Sequence, residues 1–176
     1  IKQIFRGEPL ALEVLAGNLD GHEVSIIDLK VNPDGLAPAL EALCPDLVGI
    51  TALTCEANTA CRIAQQAKES CGATVVIGGI HASCDPEFFN RPDIDYIVTG
   101  IGKASLRELV DALEEGKETP DIAGIAVTTP KKALSYRRRD FGNADLVDDK
   151  PPRYDLVAGN RLEYTILGLP VGFVAS

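Results

Sequence analysis

The chain carries no excess of positive charge: 17 Lys and Arg stand against 26 Asp and Glu, for a formal charge of −9. Nucleic-acid binders draw affinity from clustered Lys and Arg that neutralise phosphates, so that class is excluded. The one basic cluster, Arg137-Arg138-Arg139, runs straight into Asp140 and reads as a solvated loop. No apolar stretch approaches the roughly 20 residues that cross a bilayer, and no secretory signal is seen, so no membrane span is expected. The five cysteines, Cys44, Cys55, Cys61, Cys71 and Cys84, form no C-x-x-C pair. Their odd number and their placement in helices and loops point to free thiols in a reducing cytoplasm. Cys55 and Cys61 are the nearest candidates for a shared metal, but a separation of six residues puts them on different faces of a helix. Methionine is absent. The chain starts at Ile1 and stops in the apolar run Val171 to Ser176, and both ends read as internal, so a piece of a longer polypeptide is the expectation.

What is there suits one well-buried core with a small extension: 176 residues, 45% of them apolar. Leu10, Val14, Leu15 and Leu19 recur at helical spacing behind Pro9, a residue suited to a first turn, and predict an amphipathic helix over 9–19. Glu23 to Asp28 alternates like a strand and ends at the turn Asn32-Pro33-Asp34-Gly35. A short helix over 36–43 follows, then the apolar run Asp46 to Ile50, which reads as a buried parallel strand. Glu56 to Ser70 is helical with Ala60, Ile63, Ala64 and Ala67 on one side and Gly72 as its stop. Thr74 to Ile77 reads as a second buried strand, Asp85 to Phe89 as a short helix, Ile94 to Thr99 as a strand, and Ala104 to Glu115 as a helix.

Strand followed by helix, repeated to about residue 116, calls for an α/β fold: a flavodoxin-like doubly wound parallel sheet of order 2-1-3-4-5 over residues 1–116. Residues 117–176 are expected to form a small C-terminal β-hairpin extension and a linker. The hairpin arms are placed at 122–129 and 133–136 around Pro130-Lys131-Lys132, and the polar stretch 143–152 reads as linker. Ile1 to Phe5 is too short and polar for a central first strand, which places that strand upstream of Ile1.

In such a sheet, ligands settle outside the carboxyl ends of the strands. Three loops stand there: Thr51-Ala52-Leu53-Thr54, Gly78-Gly79-Ile80-His81-Ala82 and Gly100-Ile101-Gly102. Two glycines in a row let a large ligand lie against backbone, and the Thr51 and Thr54 hydroxyls can bond a polar ligand tail. The plainer reading is that Gly78-Gly79 serves a tight turn and Thr51 caps the next helix. A dinucleotide site is excluded, because no Gly-x-Gly-x-x-Gly opens the first strand-to-helix turn. Gly100-Ile101-Gly102-Lys103 lacks the spacing of a phosphate loop, and a phospho-acceptor receiver needs Asp where Thr51 stands.

Thr51-x-Leu53, then 24 residues, then Gly78-Gly79 resembles the two halves of the cobalamin-binding domain fingerprint. Glu8-Pro9-Leu10-Ala11-Leu12, Gly21-His22-Glu23-Val24, Gly78-Gly79-Ile80-His81-Ala82 and Asp95-Tyr96-Ile97-Val98-Thr99-Gly100 resemble, in order, the cobalamin-binding domains that precede radical S-adenosylmethionine (SAM) domains. The resemblance covers residues 8 to about 116, and the tail from Pro151 to Ser176 resembles the linker before a radical domain. It implies that cobalamin is the cofactor, bound by Thr51, Ala52, Leu53, Thr54, Gly78, Gly79, Ile80, His81, Gly100, Ile101 and Gly102. It also implies a methyltransferase or cyclase whose 4Fe-4S cluster and SAM belong to a radical domain in cis, beyond Ser176.

The Asp-x-His-x-x-Gly element that supplies a cobalt-ligating histidine in cobalamin mutases is absent; Glu8-Pro9-Leu10 stands in its place. The resemblance therefore implies cobalamin without that histidine ligand. His81, on a loop beside Gly79, reads more readily as a residue with a local partner than as a cobalt ligand, and His22 reads as structural. No Cys-x-x-x-Cys-x-x-Cys occurs, so no catalytic residue is assigned within the chain. The competing reading is a degenerate, cobalamin-free domain that keeps the fold to dock a radical domain or shape its substrate entrance.

Overall fold

The computed structural model describes residues 5–140, 142 and 150–172. In chain order the elements are β1 (Phe5–Arg6), α1 (Leu10–Gly17), α2 (Leu36–Leu43), β2 (Leu47–Thr51), α3 (Ala57–Cys71), β3 (Thr74–Gly78), α4 (Ile80–Cys84), β4 (Tyr96–Val98), α5 (Lys103–Glu114), β5 (Ile125–Val127), β6 (Thr165–Ile166) and β7 (Leu169–Pro170), with 3-10 turns at Thr54–Glu56, Pro86–Phe89 and Tyr154–Glu163. They fall into two compact units, residues 37–148 and residues 1–36 with 149–176.

The unit of 37–148 is an α/β layer of the flavodoxin-like kind, built on a sheet of order β2-β3-β4-β5. The first two pairings are parallel, Leu47 to Thr51 matching Thr74 to Gly78 and Val76-Ile77 matching Tyr96-Ile97. β3 is an unbroken apolar run because both its faces are covered, and Val75, Val76 and Ile77 are buried. Each such side chain contributes about 1.5–3 kcal/mol by leaving water. α3 turns Ala57, Ala60, Ala64 and Ala67 inward, and four methyl-sized side chains let the helix lie close on β2 and β3. It stops at Gly72, whose φ of +65° is the left-handed conformation that closes many helices. At the amino-terminal end of the sheet, Asp95 accepts the Val75 N–H at 2.7 Å and pairs with Lys68.

Two expectations for this region are corrected. Only the first arm of the hairpin placed at 122–136 is a strand, and as β5 it pairs antiparallel with β4. The second arm forms no ladder because side chains take the backbone groups there. Asn90 accepts the Thr129 N–H and donates to the Lys132 carbonyl, and Glu87 accepts the Leu134 N–H. The stretch written as the loop 78–82 is likewise helical from Ile80 onward.

In the unit of 1–36 and 149–176, the antiparallel hairpin of the C-terminal segment is β6 and β7, with β1 on the outer side of β6. α1 follows Pro9, whose carbonyl accepts the Leu12 N–H at 2.8 Å. Its expected leucine stripe is only half-buried; the buried residues are Glu13, Ala16 and Gly17. Their neighbour is the segment from Lys150 to Arg153. A Cβ on Gly17 would stand 2.4 Å from the Pro151 carbonyl oxygen, and the Arg153 N–H donates to the Glu13 carbonyl at 2.9 Å. Residues 154–163, expected to be linker, form a 3-10 turn that buries Val157. Residues 23–28, expected to be a strand, form none: exposure alternates along them, but no neighbouring strand takes their backbone among the described residues. The expectations for residues 1–4, 143–149 and 173–176 lie outside the described residues.

Candidate functional site

The three strand-end loops converge at the carboxyl edge of β2, β3 and β4. Register puts Thr51, the last residue of β2, opposite Gly78, the last of β3. The chain then turns at Gly79 with φ +98°, in the left-handed region, and a Cβ there would stand 2.7 Å from Thr51 Oγ1 and 3.0 Å from the Ala52 carbonyl oxygen. Glycine at 79 is thus demanded by the neighbouring strand end, whatever ligand lies above. At Gly78 a Cβ would meet only Val98, at an ordinary 3.5 Å.

Each loop is locked by its own hydrogen bonds. Glu56 Oε2 accepts the Leu53 N–H at 3.1 Å while the Glu56 N–H donates to the Leu53 carbonyl at 2.9 Å, fixing the first loop. Ser83 Oγ donates to the Gly79 carbonyl and accepts the Gly100 N–H, both at 2.9 Å, and so ties the second loop to the third. Gly102 leads into α5, its carbonyl accepting the Leu106 N–H at 2.8 Å. Sequence reasoning missed Glu56 and Ser83; the Ser83-to-Gly79 spacing of a helical serine bonding one turn back was the available signal.

On this rigid frame, each loop presents one large apolar side chain to solvent: Leu53 is 45% exposed, Ile80 63% and Ile101 53%. The Thr51 and Thr54 residues are exposed beside them, whereas Ala52 and Ala82 are buried and fill the space behind. His81 is half-buried, packed edge-on against Phe88 and Phe89 with centroids at 5.0 and 5.4 Å, and its Nε2 is buried with no hydrogen-bond partner. These ring contacts tie α4 to the 3-10 turn that follows it. Apart from His81, residues 51–54, 78–82 and 100–102 include no ionisable side chain, so the edge offers apolar contact, hydroxyls and backbone but no acid or base. All five cysteines are free, and burial pushes the Cys61 thiol up, away from the thiolate a metal would need. No helix among the described residues is long and apolar enough to cross a membrane.

The model of the B12 binding domain matches residues 5–110, a span that contains all three loops. A curated relative, an uncharacterized methyltransferase of Pyrococcus horikoshii, is 35% identical over 96% of this chain and 38% of its own length. The anaerobic magnesium-protoporphyrin IX monomethyl ester cyclase of Rubrivivax gelatinosus is 34% identical over 69% of this chain and 24% of its own length. Among solved structures, the radical SAM methyltransferase TsrM of Kitasatospora setae, described with cobalamin and a [4Fe-4S] cluster bound, superposes with a TM-score of 0.64 at 29% identity, covering 76% of this chain and 27% of that one. This chain therefore spans well under half the length of the proteins it matches. It belongs to the family of B12 binding domains.

Proposed function

We propose that this chain is the cobalamin-binding part of a cobalamin-dependent radical SAM enzyme of the methyltransferase or cyclase type, working in the cytoplasm with a radical SAM domain in cis. Cobalamin would supply a cobalt centre; Thr51, Ala52, Leu53, Thr54, Gly78, Gly79, Ile80, Gly100, Ile101 and Gly102 would hold it. His81 enters as a support for α4. The observation that carries the reading is the exposure of Leu53, Ile80 and Ile101, one on each of three hydrogen-bonded loops at the same sheet edge: exposed apolar side chains there are costly in water and suit one face of a large macrocycle. Neither of the chain's two histidines stands in an Asp-x-His-x-x-Gly string, so the reading takes cobalamin without that histidine ligand.

The test is to load the full-length protein with hydroxocobalamin, desalt it and record the corrin spectrum. Stoichiometric retention is expected, with several-fold loss in the Leu53→Asp/Ile101→Asp double variant; no retained corrin in folded wild-type protein would sink the reading. The cobalamin-free docking domain would then stand. Gly79 does not decide between the two readings, since its glycine is required by Thr51 and Ala52 alone.

A further inference from the structure

Far from the loops in sequence, the unit of 1–36 and 149–176 buries a cluster of acids. Glu13 on α1 is fully buried, the Glu8 side chain just before that helix is 1% exposed, and Tyr164, just before β6, is 1% exposed. No N–H or O–H donor reaches either carboxyl oxygen of Glu13 or Oε1 of Glu8. The groups facing Glu13 are Glu8, Arg161 from the 3-10 turn, and Tyr164, whose phenol also faces Asp28.

Charge counting makes this arrangement incomplete as drawn. Arg161 Nη2 lies 3.8 Å from Glu8 Oε1 and balances one carboxylate. A second carboxylate, fully buried, has neither donor nor cation of its own, a state that proteins avoid by neutralising the group. The carboxyl group set against Glu13 is that of Glu8, and two ionised carboxylates are both acceptors; a bond between them exists only when one carries a proton. A metal ion does not fill the gap, because Glu8, Glu13 and Asp28 do not bring three ligand oxygens within 4.8 Å of one another.

We infer that the Glu8–Glu13 pair is a proton-binding site: α1 and the segment 153–166 pack together around one proton held between the two carboxyl groups, and losing it loosens that packing. The Arg153 N–H on the Glu13 carbonyl, Arg161 on Glu8 and the buried Tyr164 make the segment sensitive to the charge at Glu13. Burial first, and the neighbouring Glu8 second, push Glu13 up to about 7, so the proton exchanges near neutrality. The inference rests on these residues and not on cobalamin.

The experiment follows amide hydrogen exchange across 153–166 in the full-length protein at about pH 5.5 and about pH 8.5, corrected for intrinsic rates. Wild type is expected to exchange at least about 10-fold faster at the higher pH, while Glu13→Gln, neutral and of the same shape, stays slow at both. Infrared spectra read the proton directly, as a carbonyl band of a protonated buried carboxyl that is present in wild type at the lower pH and missing in Glu13→Gln. Absence of that band in wild type overturns the inference, as does wild-type exchange that ignores pH. Should Glu13→Gln not fold, the two wild-type measurements decide the question alone.

Discussion

Ser83 Oγ holds two strand ends at once, donating to the Gly79 carbonyl and accepting the Gly100 N–H at 2.9 Å each. Ser83→Ala is expected to lower stability by about 1 kcal/mol, the usual net worth of such a bond, because the exposed Gly100 N–H can turn to water. Its larger effect is on preorganisation: corrin retention should fall several-fold, and Ser83→Thr should restore it. Equal retention by Ser83→Ala and wild type after desalting would remove Ser83 from the account.

The two adjacent glycines are not equivalent. Gly79→Ala places a methyl group against Thr51 Oγ1 and the Ala52 carbonyl at a left-handed φ, and is expected to cost about 1–3 kcal/mol of stability, read from chemical denaturation. Gly78→Ala meets only Val98 at an ordinary distance and should cost well under half as much. Adding Thr51→Ala to Gly79→Ala should recover only part of the loss, since the Ala52 carbonyl stays in place.

These cases also show what sequence could and could not reveal. β3, α3 and Gly72 were legible because burial on both faces, a stripe of alanines and a left-handed stop each leave a local pattern. The three loops were legible by their position after the strands. Hidden were contacts made over distance: Gly17 against Pro151, Asn90 and Glu87 taking the backbone of residues 129–134, and the acid pair of Glu8 and Glu13. Alternation at 23–28 predicts a strand, yet a pleat needs a neighbour to become one. Periodicity reports which side of an element is apolar; on α1 it could not report that the buried side would include a glutamate.

Asp95 illustrates how one side chain closes the amino-terminal end of the sheet. Its Oδ2 accepts the Val75 N–H at 2.7 Å, and Lys68 on α3 pairs with the same oxygen. Asp95→Ala orphans a backbone donor beside the buried core and is expected to cost about 2–3 kcal/mol, whereas Lys68→Met removes a partly exposed ion pair worth about 0.5–1 kcal/mol. Asp95→Asn keeps an acceptor and should fall between the two. Urea denaturation of the three variants gives the order; Lys68→Met costing as much as Asp95→Ala would show that the ion pair, not the backbone bond, holds this edge.

Glu13 gives the stability of its unit a definite sign with pH. Its folded carboxyl titrates at about 7 against an ordinary 4.5, so between these values the folded chain binds more protons than the unfolded one. Stability contributed by this group is therefore complete below about pH 4.5, declines as pH rises through the window, and is exhausted above about 7. A difference of that size corresponds to roughly 3 kcal/mol for a fully buried group. Thermal unfolding of the full-length protein should show the transition that includes this unit moving down as pH rises from about 5 to about 8, and Glu13→Gln should flatten that slope. Glu115 and Asp155, whose carboxyls are held below their ordinary values by hydrogen bonds from Lys117 and Arg153, slope the opposite way and act at lower pH, and the wild-type minus Glu13→Gln difference isolates Glu13. A difference that grows with rising pH in the wild type's favour would mean that Glu13 is ionised in the folded chain, with Arg161 as its counter-charge.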